Sequence, residues 1–364
     1  MTLPSKTNSL PLTTEKKAFL LSIGTANVDH GLIPATRKST AGPSAGSEGS
    51  VFIYSGGHRI RLSLDKNSPV RIQKIDSKKA DSKKTDSNNV DFNYAGSNHV
   101  GSDEIVVLYE NEPIVTGKIE KVLAHCPEQA YINLSEKCIF NCKYCTVPLL
   151  QGHTKSKSET LQIIQEAFDK GKGNVSAISI TSGVEESPEG ELARVMQLMP
   201  ELIKYGVPIG VSIYVTKDGA QHLKDAGAVE VKFNVEAASP EIFERVCPGL
   251  SYEDVFEELK NSVAIFGKGR VYSNLIVGLG ESDSDITKTV EDLAKIGVIA
   301  CLRPVFENKL RSGECFMERP SKERLLKLYE IQKRICEKYD LHPEKSETMC
   351  SKCGGCDLVP FSDD

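Results

Sequence analysis

From Gln129 to Tyr339 the chain alternates short β-branched runs with stretches of helical period, and this alternation limits its fold more than any other feature. The runs QAYINLS, AISITS, PIGVSIYV, VEVKFNV, RVYSNLIVGLG and VIACLRPVF read as six strands. Between them, a helix opening at Ser158 carries Leu161, Ile164, Ala167 and Phe168 on one face, and the next carries Leu192, Val195, Met196, Met199 and Leu202. Ser239-Pro240-Glu241, and Ser251 with Asp254 three residues on, are helix starts in which a hydroxyl caps and an acid complements the dipole. Each strand follows a crossover long enough for a helix, which implies a parallel sheet with right-handed connections. A closed eight-unit barrel takes about 250 residues, so the roughly 210 available predict an α/β fold with a partial, TIM-like (β/α)6 barrel over 129–340. The last helix, Ser321 to Tyr339, puts Leu325, Leu328, Ile335 and Tyr339 on one stripe and is expected to cover an end or flank.

Residues 1–128 have a different texture: VFIYSGG, HRIRLSL, EIVVLYENEPIV and KIEKVLA are short runs broken by Gly, Asn and Pro, the pattern of a β-rich N-terminal domain. A degenerate DSKK repeat near 75–103 has little to bury and is expected to be a disordered insertion. The Gly/Ser-rich AGPSAGSEGS reads as a flexible loop, since no strand-loop-helix pattern surrounds it. Residues 341–364 form a short Cys-rich C-terminal extension.

Composition removes several function classes. With 45 basic and 50 acidic residues interspersed, nothing suggests an extended basic surface for a nucleic-acid backbone. No 18-residue apolar run and no basic-then-apolar start occurs, so a cytoplasmic protein without a membrane span is expected. In a reducing compartment, 11 cysteines concentrated at two places argue for metal or redox chemistry rather than disulfides. Cys126, Cys247, Cys301, Cys315 and Cys336 are scattered and read for the most part as buried free thiols.

The first concentration is Cys138-Ile-Phe-Asn-Cys142-Lys-Tyr-Cys145, in the loop after the first barrel strand, where parallel α/β folds put their chemistry. Spacings of four and three residues let three thiolates converge, and soft ligands suit an iron-sulfur cluster or zinc. Three ligands leave a four-iron cluster one open iron; a zinc site completed by His153 or a remote residue is the rival.

C-x3-C-x2-C with Tyr144 before the third cysteine, after the first strand of a βα array, resembles the radical S-adenosylmethionine (radical SAM) superfamily, over about residues 129–315. The general look is nearest its biotin-synthase-like branch. The resemblance implies a [4Fe-4S] cluster on Cys138, Cys142 and Cys145 that chelates S-adenosylmethionine (SAM) and cleaves it to methionine and a 5'-deoxyadenosyl radical, which abstracts a substrate hydrogen. It also implies an external electron donor, a reductase or a ferredoxin or flavodoxin. Thr181-Ser182-Gly183 occupies the place of the family's Gly-Gly-Glu run at the SAM amino group, with Glu185 close by. Asn234-Val-Glu236 resembles the cluster that holds the ribose and methionine moieties. Asn274-Leu-Ile276-Val-Gly278-Leu-Gly-Glu281 resembles the adenine-contacting run, with Asn in place of its first Gly, and Arg245 is a candidate partner of the SAM carboxylate.

The second concentration, Cys350-Ser-Lys-Cys353-Gly-Gly-Cys356, reads as a second metal site outside the barrel, an auxiliary iron-sulfur cluster rather than a structural zinc knot, with one position left for substrate or for a remote partner such as Cys336, Cys315 or His342. The expected substrate is a small molecule or cofactor precursor; a peptide or protein is the second reading, and a non-catalytic iron-sulfur or zinc protein the third.

Overall fold

The computed structural model describes residues 9–35, 49–75, 104–214 and 216–364. The insertion expected near 75–103 therefore lies, apart from Ile75, outside the described residues, as does most of the Gly/Ser-rich run.

Residues 14–119 form the β-rich unit expected, with one helix at its start. The apolar run AFLLSI closes helix α1 (Thr14–Ile23), which forms because the Thr13 side chain accepts from the Lys16 N–H and Gly24, at φ 74°, ends it in the left-handed region. Strands β1 (Thr25–Val28), β2 (Ser50–Ser55), β3 (His58–Leu64), β4 (Val70–Lys74), β5 (Glu104–Tyr109) and β6 (Glu112–Ile119) close into a small barrel in the order β1-β3-β2-β6-β5-β4. Strand β1 closes it, running parallel to both β3 and β4, while the remaining pairs are antiparallel. The two tight hairpins turn on Gly56-Gly57 and Glu110-Asn111, all at positive φ, as two-residue loops between right-twisted strands require. KIEKVLA is not a strand of its own: β6 ends at Ile119, and Arg59 holds Glu120 at the exit.

The second sheet is parallel and open, in the order β12-β11-β10-β9-β8-β7. Its elements are β7 (Gln129–Asn133), α2 (Lys157–Gly171), β8 (Ala177–Thr181), α3 (Pro188–Leu202), β9 (Ile209–Ser212), α4 (Gly219–Asp225), β10 (Glu230–Lys232), α5 (Pro240–Val246), α6 (Tyr252–Phe266), β11 (Val271–Val277), α7 (Asp283–Lys295) and β12 (Val298–Pro304). Six parallel strands that do not close are the partial (β/α)6 barrel expected from the spacing. The strands are buried on both faces, with Ile178, Ile180, Val211 and Val231 fully enclosed, each worth roughly 1.5–3 kcal/mol of transfer. Ser187, Ser239, Ser251 and Ser282 cap their helices as their sequence contexts suggest. Helix α2 begins earlier than expected: Ser156, not Ser158, accepts the Glu159 N–H.

Helix α8 (Lys322–Lys338) lies along the flank, packed between α7 and α1, so its stripe of Leu325, Leu328, Tyr329 and Ile335 joins the two β units. The Cys-rich extension, expected outside the barrel, instead plugs it from below. The short helix α9 (Met349–Cys353) sits against the N-terminal ends of the strands. Gln129 Nε2 donates to Met349 O at 2.9 Å, Ser179 Oγ accepts from the Met349 N–H at 2.9 Å, and Glu230 accepts from the N–H and hydroxyl of Thr348 at 2.9 and 2.6 Å. Gly210 is required there, because a Cβ would lie 2.1 Å from Thr348 Oγ1. Farther on, Asp363 forms a buried ion pair with Lys17 at 2.6 Å, fastening the same segment to α1. Among the described residues, no helix is long and apolar enough to cross a membrane.

Candidate functional site

The cysteine loop leaves β7 at the C-terminal end of the sheet and is pinned from three sides. Ile139 N–H donates to Val184 O after β8 at 2.7 Å, and Lys143 N–H donates to Val246 O at the end of α5, also at 2.7 Å. From the segment after β12, Arg311 donates Nε to Cys145 O at 2.7 Å and Nη2 to Asn141 Oδ1 at 2.8 Å, while Nη1 meets Glu314 at 2.8 Å. A guanidinium that is 1% exposed has been taken from water to fix this loop, a cost met by those charge-assisted bonds. Gly183 fits as glycine alone, because a Cβ would fall 2.2 Å from Lys137 O. The Ser182 hydroxyl accepts from Ser135 N–H at 3.1 Å and donates to Glu191 at 2.7 Å, so it positions the loop.

Cys138, Cys142 and Cys145 line a single cavity of about 410 Å3, to which all six strands of the open sheet contribute residues at or just beyond their C-terminal ends. Tyr144, Thr181, Ser182, Gly183, Asn234, Glu236 and Ile276 line it with them, whereas Gly278 and Arg245 do not. Arg245 is exposed on α5. Gly278 belongs to a turn: its N–H and that of Leu279 donate to the Glu281 carboxylate at 2.8 and 2.7 Å, and Arg324 pairs with Glu281 at 2.9 Å. At φ 115°, with a Cβ 2.2 Å from Glu318 O, that position admits no side chain. Glu185 pairs with Lys137 and Arg194 rather than facing the cavity. The sequence reading missed Asn133, Ser212, Tyr214 and Arg303, which share the lining. Arg303 was visible as a charge inside an apolar strand, and a buried guanidinium at an inward register position is a site signal in its own right.

The three thiols sense one another. Burial pushes Cys145 up to about 12, opposed by the Val147 N–H and reinforced by Cys142 and Cys138. Cys138 is likewise raised, first by burial, and Cys142 is raised first by the buried Cys247 thiol and then by burial. Three thiolates are tenable here only around positive charge, so a metal centre would displace their protons. Among the described residues, no three Cys, His, Asp or Glu side chains converge on one ion's position. Three soft thiol ligands on the wall of one cavity are a donor set that an iron-sulfur centre takes. His153, the proposed fourth zinc ligand, is exposed and bound to Glu159 at 2.8 Å.

Glu236 stands at φ 56°, a strained conformation for a non-glycine residue, clamped by hydrogen bonds with Asn274 O at 3.0 Å and Ile276 N–H at 2.8 Å. Burial raises its carboxyl from 4.5 to about 7, against the lowering effects of Asn234, Lys232 and Tyr144. A raised carboxyl stabilises the fold fully below about pH 4.5 and loses that contribution as pH rises through about 7. In the metal-free chain, Glu236→Gln is therefore expected to gain on the wild type by roughly 3 kcal/mol between pH 4.5 and 8. Urea midpoints at the two pH values check this, and an unchanged difference would mean that the carboxyl ionises without penalty.

Residues 132–293 match the Radical SAM superfamily. A biotin synthase from Saccharopolyspora erythraea is 27% identical over 174 residues, 46% of this chain and 48% of that one. A lipoyl synthase from Chlamydia felis is 25% identical, over 46% and 55% of the two chains. A solved radical SAM methyltransferase from Sphaerobacter thermophilus overlays with a TM-score of 0.48 at 14% identity, covering 64% of this chain and 71% of that one. The chain spans about half the length of the first curated relatives it matches.

Proposed function

Residues 132–293 belong to the radical SAM superfamily, and from that premise we propose that the protein cleaves SAM reductively at Cys138, Cys142 and Cys145 and abstracts a hydrogen atom from a small molecule in the adjoining cavity. When bound, a [4Fe-4S] cluster with SAM supplies one-electron cleavage of the sulfonium to methionine and a 5'-deoxyadenosyl radical. The chain's own residues then bind and orient. Thr181 and Ser182 place their peptide groups beside the cysteine loop, where an amino group can be received. Asn234 and Glu236 offer polar contacts for ribose hydroxyls, with Asn234 held by the Asn274 N–H at 3.1 Å. Ile276 gives an apolar face for a purine, and the Tyr144 hydroxyl, near Cys247 Sγ at 3.8 Å, joins the loop to α5.

The observation that carries this reading is that three thiols and the polar ends of parallel strands line one cavity of about 410 Å3. That is near the lower end for small-molecule pockets. A second reading, a peptide or protein substrate, has an observation of its own: Ile139, Leu149, Phe306 and Leu310 are large, exposed and apolar on the two segments that Arg311 ties together at the cavity. The test is anaerobic: reduce the iron-loaded protein with dithionite in the presence of SAM and assay 5'-deoxyadenosine, then follow deuterium from candidate substrates into it. Absence of 5'-deoxyadenosine, where a positive control turns over, sinks the proposal; deuterium transfer from a peptide rather than a small molecule selects the second reading.

A further inference from the structure

At the opposite end of the barrel, the extension brings Cys350, Cys353 and Cys356 back to a residue 224 positions or more earlier in the chain, Cys126, on the segment between β6 and β7. Cys126 is fully buried, and its thiol pairs with that of Cys353. Cys350 is close enough for its charge to bear on Cys126, and Cys353 and Cys350 both bear on Cys356. The remote partners suggested by the sequence lie elsewhere: Cys336 neighbours Glu344 and Cys301, Cys315 neighbours Glu314, and His342 is held by Asp340 and Glu344.

The surroundings are cationic. Lys232 is 4% exposed, and its Nζ donates to Cys350 Sγ at 3.5 Å. The same ammonium also bears on the buried Glu236 and Asp357 carboxyls. The Tyr131 hydroxyl lies 4.0 Å from the same sulfur. The Arg303 and Arg61 side chains face Cys356, and Arg59 Nη1 donates to Cys353 O at 3.0 Å. Arg303 pairs with Asp357 at 3.4 Å and keeps Nη2 buried with no hydrogen-bond partner. Four cysteines set beside Lys232, Arg59 and Arg303 are a donor set that an iron-sulfur cluster takes. Gly354, at φ 66°, turns the backbone between the second and third tail thiols, and Gly355 O anchors the segment to the small barrel through the Arg61 N–H at 2.7 Å.

We propose that Cys126, Cys350, Cys353 and Cys356 hold a second iron-sulfur cluster at the N-terminal mouth of the barrel, with Cys126 as its fourth ligand and Lys232 hydrogen-bonded to one of its sulfurs. The site is separate from SAM cleavage. Arg303, which lines the upper cavity and faces the tail thiols, is the side chain that spans the distance between the two.

The test removes the first site by Cys138/Cys142/Cys145→Ala in the full chain, assembles the protein anaerobically with ferrous iron and sulfide, and measures both per chain together with the electron paramagnetic resonance of the reduced protein. Iron and sulfide are expected in matching amounts, on the order of 2–4 iron per chain. Adding Cys126→Ala should lower both more than about twofold and alter the resonance, as should Cys356→Ala, while Cys336→Ala should leave them unchanged. Circular dichroism of each variant separates ligand loss from misfolding. Iron content insensitive to Cys126→Ala in a folded variant, bound zinc without sulfide, or a metal-free Cys126–Cys353 disulfide would each overturn the assignment.

Discussion

Cys142→Ala is expected to lower 5'-deoxyadenosine formation more than about 1,000-fold, the scale of removing one member of a catalytic unit. Cys142 is the middle thiol of the triplet, and its carbonyl accepts the Cys145 N–H at 3.0 Å, so the two ligands share one turn of backbone. Its loss leaves two thiols on a wall built for three. A single substitution could nevertheless mislead, because the buried Cys247 thiol adjoins Cys142 and could take over as ligand. The informative set is therefore Cys142→Ala, Cys247→Ala and the pair. Cys247→Ala alone should keep its iron and activity; the pair should lose whatever residue the single Cys142 variant retains. Iron content, the visible absorbance of the cluster and product formation are the readouts. A double variant that still forms 5'-deoxyadenosine at the wild-type rate would remove the triplet from the chemistry.

Glu230→Ala is expected to cost about 3–5 kcal/mol, the largest stability loss foreseen for a single polar residue, because it strands a set of buried donors. The carboxylate is fully buried and accepts from Glu347 N–H and Thr348 N–H at 2.9 Å, from the Thr348 hydroxyl at 2.6 Å and from the Tyr272 hydroxyl at 3.3 Å, with Arg270 at 3.3 Å. Glu230→Gln, which keeps an acceptor but drops the charge, should cost roughly 1–3 kcal/mol. Urea unfolding measures the loss, and alkylation of Cys350 and Cys353 under native conditions shows whether the plug has come away. A loss below about 1 kcal/mol with unreactive tail thiols would mean that Glu230 does not hold the extension.

What the sequence revealed was mostly local. Serine caps such as Ser239 and Ser251 bond within three residues, and the strands announce themselves by β-branched runs, so the six-strand array could be placed from pattern alone. The cysteine triplet was equally legible, being a spacing within one loop. Where the reading failed, the cause was contact between distant residues. Strand β1 is four residues long and is recognisable only by the barrel it closes. Arg311 clamps a loop 166 positions away, which no spacing encodes. Gly278 and Glu281 imitated a binding run because a backbone-stapled turn needs the same residues. The tail looked detached because its partners, Glu230 and Cys126, lie more than a hundred residues upstream.

The plug also has a place in time. During synthesis, β12 is complete roughly 50 residues before Cys356 appears, a lag of about 3–10 s at ordinary elongation rates. Throughout that interval every strand of both β units exists, yet Glu230 lacks its Thr348 partners and the lower mouth is uncovered. Cys126 likewise lacks its Cys353 partner until then. The lower end of the barrel can thus be shut only after the last residues of the extension have been made.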